Sequence, residues 1–206
     1  MRGVRFHHNI NLQTLDSTAG CITHATAHDH ARQPMRIHAD AYVVALGSYS
    51  RAFTQRLGLS IPIYPAKGYS ATYAIKNFNN VPAMSVTDES RKVVFTKLDN
   101  HLRVAGTAEF NGFNTDLDPE RCQALDHATR DWFDGAVDHK SVQYWAGLRP
   151  ATPNNTPWIG RAKPYTNLYW NTGHGTLGWT HGCGSAKGLA EIMSGNTPDC
   201  DFSWKR

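Results

Sequence analysis

A chain of 206 residues, 40% hydrophobic and 11% aromatic, can bury a real core and falls in the range of one large or two small globular domains. Its formal charge of +4 comes from scattered Lys and Arg without a run of about five or six, which argues against nucleic acid as a partner. Cys21, Cys122, Cys183 and Cys200 form no CxxC and suggest neither a zinc site nor a disulfide framework, so a reducing cytoplasm is expected. No apolar run approaches the roughly 18 residues of a membrane span, and residues 1–8 lack the apolar core of a signal peptide. Any membrane association is expected to be peripheral.

The first 45 residues alternate apolar and polar around Val4–His7, Asn11–Leu15, Cys21–Thr26 and Met35–His38, the period of a small antiparallel sheet. Ala41–Leu46 is an apolar run too short for a helix and suits a strand buried on both faces, ending at Gly47. Residues 48–58 then predict a short helix, with Ser48 as N-cap candidate and Gly58 as its stop. Strand signals return from Ile61 to about Phe110, with Asp99-Asn100 a hairpin turn between the last two. Asp118 and Pro119 open a helix whose apolar face is Cys122, Leu125, Ala128, Trp132 and Phe133. Ser141–Pro153, Trp158–Gly160 and a closing strand, turn and helix follow. The order is α/β (α+β), with residues 1–60 and 145–206 forming one layer system and a β-rich insertion at 61–144.

The closing turn holds Gly173, Gly175 and Gly178 in GxGxxG spacing between a short apolar strand and a helix. Such a turn lets backbone N–H groups at a helix N-terminus approach a negatively charged ligand. A dinucleotide fingerprint also needs a second parallel strand and an acidic residue about 20 residues on. Here Asp199 and Asp201 are followed by the end of the chain at Arg206, with room for no strand, so the motif is expected to close a fold rather than open one.

Arg149, before Pro150, has the planar fork that grips a carboxylate through two parallel hydrogen bonds, although such an Arg is more often a solvated or structural pair. Tyr64 and Tyr69 are pocket candidates against the commoner reading of strand tyrosines as packing. His7, His8, His28 and His30 fit no strong metal-ligand spacing and read as exposed strand histidines; no metal is expected.

Four blocks, at 39–50, 64–70, 147–153 and 171–185, resemble the D-amino acid dehydrogenase small subunit, within the wider family of flavin amine oxidoreductases that includes D-amino acid oxidase and glycine oxidase. The resemblance covers nearly the whole chain, in the family's order. It implies a two-lobed FAD-dependent oxidoreductase, of which this chain is a C-terminal half: a partial flavin-binding domain and a β-rich substrate domain, without the N-terminal GxGxxG unit that holds the FAD pyrophosphate. It implies that Arg149 grips the substrate carboxylate, and that Tyr64 and Tyr69 belong to the substrate lobe. Gly173, His174, Gly175, Thr176, Leu177, Gly178, Trp179 and Thr180 would run along the flavin ring, the helix beginning near Thr180. Leu12 and Gly47 match positions where backbone approaches the adenine and ribityl portions. No side-chain base is expected, because related enzymes take the α-hydrogen as hydride from a neutral amine. The intact enzyme would convert a D-amino acid to a 2-oxo acid and ammonia and pass electrons to the respiratory chain at the inner face of the bacterial inner membrane. Two alternatives stand beside it. One is a non-catalytic remnant or a subunit completed by a separate N-terminal chain, and the other an oxygen-using glycine or sarcosine-type oxidase.

Overall fold

The computed structural model describes residues 3–202, so Met1, Arg2 and the terminal segment ending at Arg206 lie outside the described residues. Two compact units form: one runs up to Tyr64 and resumes at Pro150, the other is Pro65–Arg149. The exchange points differ by a few residues from 60 and 145. Ile61 and Ile63 explain the first difference, because both are buried in the core of the first unit.

The first unit begins with an antiparallel meander of β1 (Asn11–Thr18), β2 (Cys21–His28) and β3 (Pro34–Ile37). Val4–His7 is not a strand. Val4 and Phe6 are 71% and 79% exposed, and a strand needs a paired neighbour and an apolar face to bury. A second sheet has the order β10 (Trp158–Arg161), β11 (Leu168–Thr172), β4 (Tyr42–Val44). β11 pairs antiparallel with β10 and parallel with β4, setting Leu168, Tyr169 and Trp170 beside Tyr42, Val43 and Val44. The pleat sends Tyr42, Val44, Leu168 and Trp170 into a core with Ile22, Ala25, Leu59, Ile61 and Ile63. Tyr169 points to the other face, where Leu189 of α3 (Gly178–Met193) covers it together with Ile159.

The predicted helix at 48–58 is broken into three pieces. A 3-10 turn at Gly47–Tyr49 leads to α1 (Ser50–Thr54), and a second 3-10 turn at Gln55–Leu57 ends on left-handed Gly58. Ser48 is buried inside the first turn rather than capping it, and the N-cap position is Leu46. The Thr54 hydroxyl donates to the Ser50 carbonyl at 2.9 Å, a bond that competes with regular helix propagation.

The second unit is a five-stranded sheet, ordered β6 (Val86–Asp88), β7 (Val93–Leu98), β8 (His101–Glu109), β5 (Tyr64–Ile75) and β9 (Val137–Ala151). Asp99 turns the β7–β8 hairpin at φ 51°. One face packs on α2 (Pro119–Phe133), whose N-cap Asp118 accepts from the Glu120 amide at 2.9 Å. The buried stripe of α2 is Cys122, Leu125, Ala128 and Thr129. Trp132, expected on that stripe, is instead 59% exposed and donates its indole N–H to Asp88 at 3.2 Å, because a polar partner outside the core satisfies it.

Candidate functional site

In the second unit the site is built around a bulge. β5 pairs with β8 with Lys67 opposite Glu109 and Tyr69 opposite Gly106, so the register slips at Gly68. The extra residues on β8 include Thr107, a β-branched residue held at φ 57°, a backbone strain of order 1–3 kcal/mol. The Thr107 carbonyl accepts from the Arg149 guanidinium at 3.3 Å, and its buried hydroxyl has no partner among the described residues. The guanidinium lies directly over Gly68: a Cβ there would come within 1.7 Å of Nη1. An isolated glycine within a 12-residue strand is the sequence signal for such a close approach, whereas nothing in the spacing around Thr107 marks its role.

Arg149 is half-buried, and burial pushes its pKa down from the ordinary value. Among the described residues no carboxylate lies within 4.0 Å of it to compensate the charge. A partly desolvated guanidinium without a counter-charge favours an anion.

Lys67 and Tyr69 flank Gly68 and are each 1% exposed. Lys67 Nζ donates to Asn114 Oδ1 and the Asp116 carbonyl, both at 3.0 Å, and pairs with Glu109 at 3.0 Å. Burial pushes the Lys67 ammonium down, but bonds to Tyr69 and Glu109 outweigh it and the net shift is upward. The Tyr69 hydroxyl donates to Glu109, whose carboxyl is held at about 2, first by Tyr69 and then by Lys67. In this placement Tyr69 offers a ligand no surface; its geometry is that of packing and of orienting Glu109. Tyr64 is 43% exposed at the start of β5.

In the first unit the structure brings Gly47, Pro150, Thr172 and the turn at 173–178 together. Thr172 Oγ1 donates to the Gly47 carbonyl at 3.2 Å and shares a hydrogen bond with Ser50 at 2.8 Å. The Gly175 amide donates to the Pro150 carbonyl at 3.0 Å, and Pro150 directly follows Arg149 in the chain. Gly173 is demanded twice over: its φ is 83°, and a Cβ would meet Thr152 at 3.0 Å. Gly178 is not demanded in this way, since a Cβ there meets only His174 at 3.6 Å.

α3 begins at Gly178, two residues before Thr180, with Leu177 as N-cap, no side-chain cap and no acidic residue in its first turn. Residues 176–184 are all exposed. The first amides of this helix are therefore left for a ligand or water. His174 turns its ring the other way, its Nε2 bonding Ser185 Oγ at 2.9 Å, and fastens the turn to the helix. Burial, followed by the neighbouring His181, pushes its pKa down, which favours the uncharged ring. Leu12 lies elsewhere in this unit, sharing a crevice of about 890 Å³ with Leu46, Tyr49 and Phe53. Of the histidines first weighed as ligands, His7, His8 and His28 join no metal-capable cluster, and nor does His30: none of three or more His, Cys, Asp or Glu exists among the described residues.

The family model for FAD-dependent oxidoreductases matches residues 1–192. The chain belongs to that family. The D-amino acid dehydrogenase of Dechloromonas aromatica is 48% identical over 204 residues, covering 99% of this chain and 49% of the relative. That of Agrobacterium fabrum is 50% identical over 165 residues, covering 80% and 39%. The chain thus spans about half the length of the curated relatives it matches or less. Among solved structures, glycine oxidase from Geobacillus kaustophilus superposes with a TM-score of 0.80 at 19% identity, over 96% of this chain and 52% of that one. L-Proline dehydrogenase from P. horikoshii gives 0.78 at 14%, over 95% and 52%. At such identities these two establish the fold alone.

The uncapped N-terminus of α3 fits a group that gains negative charge on reduction, as FAD does, and Gly173 at φ 83° lets backbone approach it closely. The residues that would hold it here are Gly173, Gly175 and the amides of Gly178, Trp179 and Thr180.

Proposed function

We propose that this chain belongs to an FAD-dependent dehydrogenase that oxidatively deaminates D-amino acids, and that it carries the substrate-carboxylate anchor and one edge of the flavin site. The carrying observation is Arg149: partly desolvated, tied down by one backbone carbonyl and without a carboxylate partner among the described residues. The names of the D-amino acid dehydrogenase relatives support the substrate class.

In this reading Arg149 binds the carboxylate through paired hydrogen bonds, and Gly68 keeps the space in which it does so. Tyr64 borders the side-chain pocket. Flavin, when bound, accepts the α-hydrogen and its electron pair. The iminium left behind gives its proton to solvent water, and water hydrolyses the resulting imine to 2-oxo acid and ammonia. The turn at 173–178 and the helix dipole of α3 stabilise negative charge at their end, and His174 stays neutral and takes no proton. Leu12 and Gly47 would help to hold the cofactor's adenine and ribityl portions. Electrons then pass to a respiratory-chain acceptor, from a peripheral position at the membrane. No described helix is long and apolar enough to cross one.

A visible-absorbance titration of the purified chain with FAD, followed by a D-amino acid under anaerobic conditions, tests this. Flavin binding that bleaches on substrate addition is the expected result, with the chain alone or with the remaining half of a relative supplied. Flavin that binds but stays oxidised with every D-amino acid offered, in the completed protein, would overturn the substrate class. Peroxide formation in air would move the reading to an oxygen-using oxidase. The second reading, a subunit completed by another chain, is favoured by the half-length match to the relatives.

A further inference from the structure

The meander of the first unit brings together two histidines, His24 and His38, that belong to neither of the close pairs at 7–8 and 28–30. β1 and β2 change register between Asp16 and Ser17, so that Asp16 pairs with His24 and Ser17 with Ile22, and Thr23 is left as the extra residue of a bulge. β2 pairs with β3 from His28 opposite Pro34 to Ala25 opposite Ile37, and the same register carried one step on sets His24 opposite His38. Asp16, His24 and His38 therefore form a row across the sheet. The two imidazole centroids are 5.5 Å apart, with the rings tilted by 33°.

Thr23 fixes which nitrogen of each ring carries hydrogen. Its hydroxyl donates to the Asp16 carbonyl at 3.1 Å, which spends its one proton. The same oxygen lies 3.1 Å from His24 Nδ1 and so accepts there, which puts a hydrogen on Nδ1. The Thr23 carbonyl, which can only accept, lies 3.2 Å from His38 Nδ1, and that nitrogen carries a hydrogen as well. In the neutral rings the lone pair then falls on Nε2 of both histidines. A ring whose Nδ1–H is held by a protein oxygen and whose Nε2 is bare is set up to bind a metal ion, with the oxygen fixing tautomer and orientation.

The surroundings favour positive charge at the same place. His24 Nε2 lies 3.4 Å from Asp16 Oδ2, an oxygen that also accepts from Thr26 at 2.9 Å and Thr14 at 3.2 Å. A lone pair set against a carboxylate is relieved by a cation. A proton on His24 does this for one ring and leaves His38 Nε2 without a protein partner among the described residues, whereas one metal ion serves both. Two imidazoles on one metal at about 2.0–2.1 Å and a tetrahedral angle place their centroids roughly 5 Å apart, a little under the spacing found here.

We propose that His24 and His38 bind one divalent ion of the zinc, nickel or copper class through Nε2, with Asp16 adding negative charge and water completing the coordination. Imidazole nitrogen suits these ions, whereas magnesium and calcium take oxygen. Two imidazoles are a smaller set than the clusters of three or more that are absent among the described residues, so the ion is exchangeable rather than permanently held. Its ligands come from β2 and from the residue that follows β3, so binding fastens one strand to the other. The site stands independently of the functional reading above.

The test is a calorimetric titration of the untagged full chain with Zn²⁺ alone, paired with melting temperatures across Zn²⁺ concentrations. Binding is expected, with a melting temperature that rises with Zn²⁺, since the two ligands meet only in the folded chain. His24→Asn and His38→Asn each keep a side-chain N–H near the Nδ1 position and remove Nε2, and each is expected to weaken binding ~10-fold or more. Thr23→Val leaves both imidazoles but takes the acceptor from His24 Nδ1, and is expected to weaken binding about 10-fold. His101→Asn, at an exposed position of the second unit, is expected to leave it unchanged. Melting without Zn²⁺ checks that each variant folds. Absence of binding, binding indifferent to both His24→Asn and His38→Asn, or binding lost in Cys21→Ser but kept in His24→Asn would each overturn the proposal. An equal rise in melting temperature with Mg²⁺ would overturn the imidazole chemistry assigned to the site.

Discussion

Arg149 and Gly68 act as one device. The sequence exposed half of it, since an Arg before Pro in a block resembling the family's carboxylate clamp is visible as text. Its seat was not visible, because the slip between β5 and β8 depends on a register that pairs residues about 40 positions apart. Two substitutions separate the charge from the seat. Arg149→Lys keeps the charge but removes the planar fork, and is expected to lower kcat/KM of the FAD-loaded protein roughly 10- to 100-fold, chiefly through KM. Gly68→Ala changes neither charge nor fork. The atoms its Cβ would meet are the far end of the Arg149 side chain, so the strand stands and the guanidinium moves. A fall in kcat/KM approaching that of Arg149→Lys, with an unchanged melting temperature, is expected. A Gly68→Ala enzyme with wild-type KM would show that Arg149 does not work from the position over Gly68.

At the scale of elements, local signals are legible where one residue type settles the backbone. Asp118-Pro119 opens α2, Asp99-Asn100 turns a hairpin, and the apolar run ending at Gly47 contains β4. They failed where tertiary partners decide: Val4 and Phe6 alternate like a strand but find no neighbour, and Trp132 leaves the α2 stripe for Asp88. The buried Lys67–Glu109–Tyr69 cluster belongs with these, since nothing in the spacing of 67, 69 and 109 announces it. It makes a pH prediction with a definite sign. Glu109 falls from an ordinary 4.5 to about 2, so its stabilisation is present above about 4.5 and is lost as pH falls towards 2. Glu109→Gln removes that contribution and leaves the Lys67 charge unpaired. The variant is therefore expected to melt below wild type at pH 7, and the gap to narrow as pH is lowered from about 5 to 2, by thermal denaturation across that range. A gap that stays constant would mean the carboxylate is not the titrating partner.

Across the whole molecule, composition foretold enough apolar residues for a core but not that two cores would form. That outcome follows from where the long strands send their side chains. Leu102, Val104, Phe95 and Tyr73 cluster with Leu125 of α2, whereas Leu168, Trp170, Ile61 and Ile63 cluster under β4 and the meander, and the two sets share no residue. Leu102 and Leu168 are each 0% exposed, so truncation to Ala costs each unit about 2–5 kcal/mol, from lost burial and an unfilled cavity. With separate cores the two losses fall on different amides. Native-state hydrogen exchange on Leu102→Ala is expected to speed exchange in β5, β7, β8 and α2 while leaving β10 and β11 protected, and Leu168→Ala to do the reverse. Uniform deprotection by either substitution would mean the chain opens as one cooperative body, and that neither core holds its unit independently.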